Sequence, residues 1–452
     1  MQNHATLFTS TSRAVGLLLT FLVSLTPAIA QDLIPASPPQ AHPIALIGAT
    51  AHPISSPHID NAMLLFENGR ITYIGPRSAA PPLPTGTQTL DVSGFHIYPG
   101  LIAAKTELGL TEISAVRAMR DTREVGDITP EVRAAVSINP DSTLIPVART
   151  NGVLTAAVFP AGGLIPGRAS VIRLDGWTCE DLTILDAAGL CINWPQTYRA
   201  PNRWTGKPDA NDRAKDRLRT ISDFFAHARS YHSHAQENRT IDLRLEAVEP
   251  QLRSGHEQRP VFIAASELSA ITSAVEWALA SELRPVIVGG RDAHLCSDLL
   301  KEHNVPVILT DPLGFPRRAD ADHNEAFTHP ARLEAAGVAW CFAPADTDAN
   351  VRNLPYDAAM AVAHGLDPHV AIRAITLAPA QILGVGHLLG SLEPGKAATI
   401  IITDGSPLEI TTNVAHAFID GRHIDLSNKQ TQLRDKYIEK YRQLDALDQR
   451  NP

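Results

Sequence analysis

The stretch YPGLIAAKTELGL, Tyr98–Leu110, joins an apolar run to two charged residues, Lys105 and Glu107. Successive side chains of a β-strand point to opposite faces, so residues two positions apart share a face. We therefore expect Lys105 and Glu107 to point the same way from the end of one strand. An ammonium group cannot be a metal ligand, and it repels a cation. This strand end is thus predicted to carry charge without holding a metal ion.

Strand-like and helix-like segments alternate after this stretch. Buried parallel strands are indicated by VLTAAVF, ASVIRL, PVFIAAS, RPVIVGG, VPVILT and GVAWCFAP. Intervening helices are indicated by SELSAITSAVEWALASEL, RDAHLCSDLLKEH and LPYDAAMAVAHGL. The alternation predicts a parallel sheet with helices outside, and the sheet is either open or closed into a barrel.

Two β-rich segments lie on either side of the alternating region. In the first, Asn68-Gly69 separates MLLFE from RITYIG and predicts a hairpin, because both turn residues tolerate positive φ. The second contains GSLEPGKAATIIITDG and NVAHAFIDGRHI. Neither segment has a full core of its own, so we expect the two to pair into a small sandwich.

Several motifs resemble the amidohydrolase superfamily. ENGRITYIG resembles the Asp-Gly-Arg-Ile hairpin of that family, and DVSGFHIYPGLI resembles its approach to the first barrel strand. HGLDPHVAIRAITLAPAQILGVGHLLGSLEPGKAATIII resembles its ending, where a Thr-x-x-Pro-Ala helix leads through Gly-Ser-Leu-x-x-Gly-Lys into the sandwich. The resemblance runs from about Ala45 to Ile424. Within the superfamily, the sequence most resembles imidazolonepropionase-like members, and among these an exported branch that contains GLTEI.

The resemblance implies an α/β fold, a distorted TIM (β/α)8 barrel flanked by a small β-sandwich built from N- and C-terminal segments. Together with the composition of the two ends of the chain, it gives a signal peptide (1–30), a linker (31–43), an N-terminal sandwich segment (44–98), the barrel (99–388), a C-terminal sandwich segment (389–424) and a C-terminal amphipathic helix (425–452). That helix either packs on the barrel or projects. The family also implies hydrolysis of C–N bonds by a metal-bound hydroxide, with zinc as the expected ion.

The metal ligands of the family are mostly replaced in this sequence. The family has His-x-His on its first strand, a lysine on its fourth, single histidines on its fifth and sixth, and an aspartate on its eighth. Here Lys105 and Glu107 replace the first pair, and no histidine stands near Ala264 or near Gly289 and Gly290. His232 and His234 lie in a helical pattern, where residues two apart point about 200° apart and cannot share one ion. We predict no metal site and no bound cofactor.

Three residues are the catalytic candidates: Asp346, Lys105 and Glu107. In one hypothesis the Lys105 ammonium takes roughly the place of the missing cation and neutralises the two carboxylates; in the other, Lys105 and Glu107 point to solvent. The charged segment after the first barrel strand is either a catalytic-face loop that clamps carboxylate or phosphate groups, or a solvated surface. Candidate substrate-binding residues are Glu112, Arg117, Arg149, Arg168, Asn350, Arg352 and Asn353.

Composition restricts partners and location. A net charge of -9 and the lack of a basic stripe argue against nucleic acid or an anionic membrane as partner. The apolar run VGLLLTFLVSL, between Arg13 and Ala30, predicts a signal peptide cleaved near Ala30 and export to a periplasm or beyond. This run is shorter than the ~20 residues of a membrane-spanning helix. In an exported protein Cys179 and Cys191 either form a disulfide or remain free thiols.

Two functions stay open at this stage. The protein is either a hydrolase of non-peptide or cyclic amide bonds that uses Asp346 and its neighbours with a degenerate metal site, or a non-catalytic binding or partner subunit of the same fold in the periplasm. A small molecule or short peptide is the expected ligand. A homo-oligomer, or pairing with an intact homologue, is the expected assembly of the partner subunit.

Overall fold

Two β-sheets drawn from different regions of the chain organise the fold. The structure, a computed structural model, describes residues 34–196, 213–233 and 240–448. The predicted signal peptide with its cleavage site near Ala30, and His234, lie outside the described residues.

Sheet A joins the two ends of the chain. Its strands are β1 (Ile44–Ala51), β2 (Ile59–Glu67), β3 (Arg70–Pro76), β4 (Gln88–Asp91), β5 (His96–Pro99), β14 (Ile400–Thr403), β15 (Val414–Ile419) and β16 (Arg422–His423). The order is β16-β15-β14-β5-β1-β2-β3, and β4 also pairs with β1. The two segments meet where β5 runs antiparallel to β14, with Ile97 opposite Ile402. The predicted pairing of the N- and C-terminal β segments is confirmed.

Sheet A folds over on itself to enclose a core. Phe66 on β2 and Phe418 on β15 have three strands between them in the sheet order, yet their ring centroids are 5.1 Å apart. Contact at this distance requires the two halves of the sheet to face each other. Buried residues such as Leu46, Leu64 and Ile400 fill the space between the halves.

The hairpin predicted at Asn68-Gly69 is confirmed. Strands β2 and β3 are antiparallel, and the two turn residues have φ of 51° and 75°. A second turn of this kind, Asp420-Gly421, connects β15 to β16 with φ of 48° and 74°. Such turns match the twist of the strands, and glycine adopts them without a Cβ clash.

Sheet B forms the barrel. Its strands are β6 (Leu101–Thr106), β7 (Val153–Val158), β8 (Gly167–Arg173), β9 (Thr183–Asn193), β10 (Val261–Ala265), β11 (Pro285–Gly289), β12 (Val307–Leu309) and β13 (Trp340–Phe342). They are neighbours in chain order. β8 runs antiparallel to both β7 and β9, so the prediction that ASVIRL forms a parallel strand is wrong. The short link Phe159–Pro166 explains this, because a parallel crossover needs about a dozen residues or more.

Irregular backbone, rather than strand pairing, closes the barrel. The N–H of Ile102 on β6 donates to the carbonyl of Ile375 at 2.8 Å. The N–H of Phe342 on β13 donates to the carbonyl of Ala374 at 3.0 Å. Residues 374–375 therefore bridge the first and last strands. Of the two alternatives left by the sequence, the nearly closed barrel is the observed one.

Helices cover the outside of the barrel. The described helices are α1 (Leu144–Thr150), α2 (Cys179–Leu182), α3 (Arg213–Ser233), α4 (Leu243–Glu246), α5 (Glu249–Leu252), α6 (Leu268–Ala280), α7 (Ser297–Glu302), α8 (Glu325–Ala336), α9 (Leu354–Ala363), α10 (Pro368–Arg373), α11 (Leu377–Ile382) and α12 (Lys429–Asp448). In α6 the buried residues Ile271, Ala274 and Ala278 recur at helical spacing, which puts an apolar stripe on the face toward the strands.

The C-terminal helix differs from the others in exposure. Almost all described side chains of α12 are exposed, including Leu433 and Tyr441. This exposure favours a helix that projects from the protein over one that packs on the barrel. Within the described residues, no helix has both the length and the apolar character that crossing a membrane requires. All four cysteines are free thiols, Cys179 and Cys191 included.

Candidate functional site

The carboxyl ends of the parallel strands converge on one face of the barrel, here called the mouth. The opposite face, where those strands begin, is called the floor. In barrels of this architecture catalytic groups project from the carboxyl ends of strands. Lys105 lies near the end of β6 and Glu107 follows that strand. Asp346 follows β13, and Arg168 is near the start of the antiparallel strand β8, so all four belong to the mouth side.

The end of β6 and the loop after β13 are bonded to each other. The N–H of Glu107 donates to the carbonyl of Thr347 at 2.7 Å. The hydroxyl of Thr106 donates to the same carbonyl and accepts the N–H of Leu108 at 2.9 Å. The structure thus brings the loop that contains Asp346 next to the strand end that contains Lys105 and Glu107, two regions far apart in sequence.

Lys105 is half-buried at a bulge in β6, where the register with β7 shifts between Ala103 and Thr106. Burial lowers the pKa of Lys105, while the charge of Glu107 and the Cys191 thiol oppose that shift. In the part of the chain that the structure describes, no carboxylate oxygen lies within 4.0 Å of the Lys105 ammonium, the limit for an ion pair. The hypothesised direct pairing of Lys105 with Glu107 or Asp346 is therefore not formed.

The barrel interior beneath Lys105 is apolar. Phe159 and Phe262 meet edge to face with ring centroids 5.1 Å apart, and Cys191 is buried in the same core. Burial raises the pKa of the Cys191 thiol to about 12, so the thiol is neutral at ordinary pH. The ammonium consequently meets few groups that could replace its hydration.

Three carboxylates gather after β13: Asp346, Asp348 and Asp357. Burial favours the neutral form of Asp346, but hydrogen bonds from the Asp348 N–H (3.0 Å) and the Asn350 amide (2.8 Å) outweigh it and lower the pKa of Asp346. Burial and the neighbouring Asp346 raise the pKa of Asp348. The two aspartates nearest the mouth are thus shifted in opposite directions.

Asp357 was missed by sequence reasoning. It lies on α9 with 4% of its surface exposed, and its Oδ2 accepts the N–H of Ala345 at 2.9 Å. Burial, with a further contribution from Asp346, raises the pKa of Asp357 to about 6. The sequence signal for this residue was a carboxylate inside the otherwise apolar helix LPYDAAMAVAHGL. Such a carboxylate cannot be distinguished locally from one at an ordinary surface position.

The residues at the strand ends do not fit the zinc ion that the family implies. β10 and β11 end in alanine and glycine, which offer no side-chain donor, and β6 offers an ammonium. Zinc in proteins prefers a tetrahedral set of His, Cys and carboxylate ligands. Among the described residues, no group of three or more His, Cys, Asp or Glu is arranged to hold a metal ion.

The charged segment after β6 folds over the β7–β9 side of the mouth. The N–H of Thr129 donates to the carbonyl of Ile165 at 2.8 Å, and the N–H of Leu164 donates to that of Asp127 at 2.6 Å. Of its predicted binding residues, Glu112 is half-buried and accepts a long 3.4 Å hydrogen bond from Asn139. Arg117 is exposed on a 3-10 turn.

Arg168 holds this segment to the barrel. Its Nη2 donates to the carbonyl of Glu131 at 2.9 Å. Burial and the adjacent Arg133 lower the pKa of Arg168, and the charges of Asp186 and Glu131 oppose them. Arg133 in turn pairs with Asp186 at 2.5 Å. The buried Nε of Arg168 has no hydrogen-bond partner within the described ranges, so this residue keeps an unused donor on the mouth side.

Arg149 lies on the floor and not at the mouth. Its Nη1 is 2.7 Å from Asp175 Oδ1, and both side chains are buried. Asp175 follows β8, whose last residues pair with the start of β7, and Arg422 of sheet A reaches the same carboxylate at 2.8 Å. Arg149 therefore fastens sheet A to the barrel, which corrects its assignment to a substrate site in the mouth.

The remaining predicted binding residues, Asn350, Arg352 and Asn353, differ in their contacts. Asn350 belongs to the mouth through its bond to Asp346. Arg352 offers its carbonyl to the amide of Asn151 at 2.6 Å, a contact that ties the start of α9 to the end of α1. Asn353 precedes α9 as its N-terminal neighbour without a side-chain cap.

Comparisons with known proteins identify relatives in both sequence and structure. The amidohydrolase family profile matches residues 326–424. Amidohydrolase tasK of Hapsidospora irregularis is 22% identical over 395 residues, which cover 79% of this chain and 39% of tasK. A provisionally named N-acetylgalactosamine-6-phosphate deacetylase of Escherichia coli (strain K12) is 30% identical over 128 residues, 26% of this chain and 72% of that protein.

A solved structure shares this fold. The crystal structure of an amidohydrolase from Thermotoga maritima MSB8 superimposes with a TM-score of 0.74 at 24% identity, covering 84% of this chain and 99% of that one. This likeness confirms the predicted fold of barrel and flanking sheet. The sequence matches show that the chain belongs to the amidohydrolase superfamily.

Proposed function

We propose that the mouth binds a small molecule or short peptide through an anionic group at Lys105, and that it does so without metal-dependent hydrolysis. The observation that carries the proposal is the half-buried Lys105 ammonium, which has no ion-pair partner among the described residues and stands where the first barrel strand ends. The protein is then a ligand-binding or partner member of its superfamily with a degenerate metal site, in the imidazolonepropionase-like branch.

The chemistry of an unpaired ammonium supports an anionic ligand. Removing a charge from water costs free energy unless a counter-charge or several hydrogen bonds replace the lost hydration. Glu107 lies near enough to act on Lys105 electrostatically but does not pair with it. A ligand carboxylate at the mouth would supply the missing counter-charge, and the lowered pKa of Lys105 would return toward its ordinary value.

Binding can be tested directly with defined probes. Elemental analysis of the purified protein measures bound zinc, and calorimetric titration with N-acetylated amino acids and dipeptides measures affinity. We expect substoichiometric zinc and a measurable affinity for at least one carboxylate probe. The affinity should fall by about tenfold or more in Lys105→Met, since a charged hydrogen bond contributes roughly 1.5–3 kcal/mol.

The matched control is Lys436→Met, which removes an exposed lysine on α12. It should leave the affinity unchanged. Stoichiometric zinc with turnover that a chelator abolishes would refute the proposal, and so would equal affinities for the wild type and Lys105→Met.

A second candidate function has its own supporting observation. Asp357, with a pKa raised to about 6, lies near Asp346, whose pKa is lowered. Carboxyl groups whose pKa values are driven apart are a common arrangement for general acid and base. Under this alternative the protein hydrolyses amide-like or cyclic C–N bonds, with Asp346 as base and Asp357 as acid.

The two functions are separated by activity measurements with dipeptides, hydantoins and lactams, each with and without chelator. Turnover that survives the chelator and is lost in Asp357→Asn would favour the metal-independent hydrolase. The absence of turnover, together with binding that depends on Lys105, would favour the binding protein. Either result can be interpreted without knowledge of the natural substrate.

We further propose that the protein is exported, with cleavage near Ala30, and acts as a homo-oligomer or beside an intact homologue. The apolar N-terminal run supports export. N-terminal sequencing of the protein from an envelope fraction should begin at Gln31, and a mature chain that starts at Met1 would contradict export. Light scattering of the purified protein tests self-association.

A further inference from the structure

We propose that a cleft between sheet A and the barrel floor binds a small polyanion, a phosphate ester or a polycarboxylate, through arginines. The cleft has a volume of about 440 Å³ and is lined by Arg70, Arg173, Arg422 and Asp420, among others. It is distinct from the mouth, because Arg173 ends the antiparallel strand β8 and so lies beside the start of β7. This site does not depend on the function proposed for the mouth.

One wall of the cleft consists of the two hairpin turns of sheet A. The turn Asn68-Gly69 packs against Asp420-Gly421 so closely that a Cβ on Gly69 would lie 2.9 Å from the carbonyl oxygen of Asp420. Ala398, which lies just before β14, joins them: its N–H donates to the Gly69 carbonyl at 2.8 Å, and its carbonyl accepts the Gly421 N–H at 3.0 Å. These contacts hold the wall in place without a ligand.

Gln40 braces this wall. Its Oε1 accepts the N–H of Gly69 at 2.8 Å, and its Nε2 donates to the carbonyl of Phe66 at 3.0 Å. The side chain also fills the space next to Gly421, where an added Cβ would be 2.3 Å from Gln40 Oε1. The turns are therefore braced from a third segment of the chain.

The arginines are oriented by contacts that leave positive charge in excess. Arg422 forms an ion pair with the buried Asp175, which also pairs with Arg149. Arg173 Nε lies 3.1 Å from Asp420 Oδ2. Arg70 donates to the carbonyl of Gly395 at 3.2 Å and makes no ion pair among the described residues. Three arginines and one aspartate, Asp420, thus line the cleft, although the whole protein carries a net charge of -9.

The ligand class follows from this arrangement. Guanidinium groups present paired N–H donors that match the oxygens of phosphate and carboxylate groups. The volume is within the range of sites for small organic molecules. Because the arginines are already held by protein contacts, little further ordering is required when an anion binds. Both phosphoryl and polycarboxylate ligands share the chemistry of closely spaced anionic oxygens.

Calorimetric titration at low ionic strength tests the site, with pyrophosphate and citrate as probes. We expect saturable binding of at least one probe that weakens as salt is added, since exposed charges are screened. Arg70→Gln should weaken binding by about tenfold or more, because it removes the arginine without an acidic partner. Pyrophosphate binding alone would assign a phosphoryl ligand, and citrate binding alone a polycarboxylate.

Arg77→Gln is the matched control, since Arg77 is an exposed arginine that follows β3 of the same sheet and does not line the cleft. It should bind as the wild type does. Arg173→Gln provides a second variant, and circular dichroism confirms that each protein is folded. No binding of either probe would overturn the proposal, as would equal affinities for Arg70→Gln and Arg77→Gln.

Discussion

The backbone N–H of Glu107 donates a 2.7 Å hydrogen bond to the carbonyl of Thr347, which fastens the first barrel strand to the loop after the last one. The hydroxyl of Thr106 donates to the same carbonyl. These bonds complete, on the mouth side, the closure that Ile375 and Ala374 make within the barrel wall. The candidate residues of the mouth are thus positioned by backbone contacts between the two ends of the barrel sheet.

Replacing Thr106 by valine tests this closure. The substitution keeps the shape of the side chain but removes the donor to Thr347 and leaves the buried N–H of Leu108 without its acceptor. An unsatisfied buried group costs about 1–3 kcal/mol, so the free energy of unfolding should fall by that amount in urea titrations. Thr89→Val, at an exposed position of β4, should change it much less. Equal effects of the two substitutions would contradict a role in closure.

The buried Asp175 should be one of the most sensitive positions of the fold. Asp175→Asn leaves Arg149 and Arg422 without their shared counter-charge. Breaking a buried ion pair typically costs roughly 3–5 kcal/mol. The comparison is Asp186→Asn, which removes the partner of Arg133 from a pair whose side chains are about half exposed and should cost roughly 0–1 kcal/mol. Chemical denaturation of both variants measures the difference, and similar losses would argue against the floor as an anchor.

These results separate what local sequence can predict from what it cannot. The Asn68-Gly69 hairpin could be predicted because two residues and their allowed φ decide the turn. The direction of β8 could not be inferred from ASVIRL itself, since a buried strand has the same pattern in either direction. The length of the link before it, Phe159–Pro166, carried that information.

The candidate site was harder to predict because partners come from distant segments. Arg149 sits beside a Gly-containing turn and resembled a ligand-binding residue, but Asp175 and Arg422 decide its role. Asp357 owes its shifted pKa to burial on α9 and to Asp346. Neither relationship can be predicted from the residues that are adjacent to Arg149 or Asp357 in the sequence.

Asp357 makes the stability of the protein depend on pH in mildly acidic solution. Its pKa is raised from 3.8 to about 6 on folding. The contribution of Asp357 to the free energy of unfolding is therefore fully present below pH ~4 and is lost as pH rises through ~6. The loss amounts to about 3 kcal/mol at 1.36 kcal/mol for each pKa unit. The Asp357→Asn variant lacks this loss. The difference between its free energy of unfolding and that of the wild type should therefore increase between pH 4 and pH 7. Asp298→Asn, at an exposed position, should show no such trend.

Lys105 should have the opposite kind of pH dependence, in alkaline solution. Its pKa is lowered on folding because burial disfavours the ammonium, so the unfolded chain binds the proton more tightly than the folded one. Stability therefore rises as pH increases from the lowered pKa to the ordinary value near 10.4. Lys105→Met replaces the buried charge by an apolar side chain of similar length, so the variant should be more stable than wild type at neutral pH. That advantage should shrink as the pH approaches 10.

Thermal unfolding of Lys105→Met, Lys436→Met and the wild type across pH 7–10 measures this effect. Titration of other lysines and tyrosines affects all three proteins alike, so the difference between the two variants isolates Lys105. A constant difference across the range would mean that Lys105 is hydrated like a surface lysine. In that case the mouth would have no unpaired ammonium to offer an anionic ligand, and the proposed binding function would lose its physical basis.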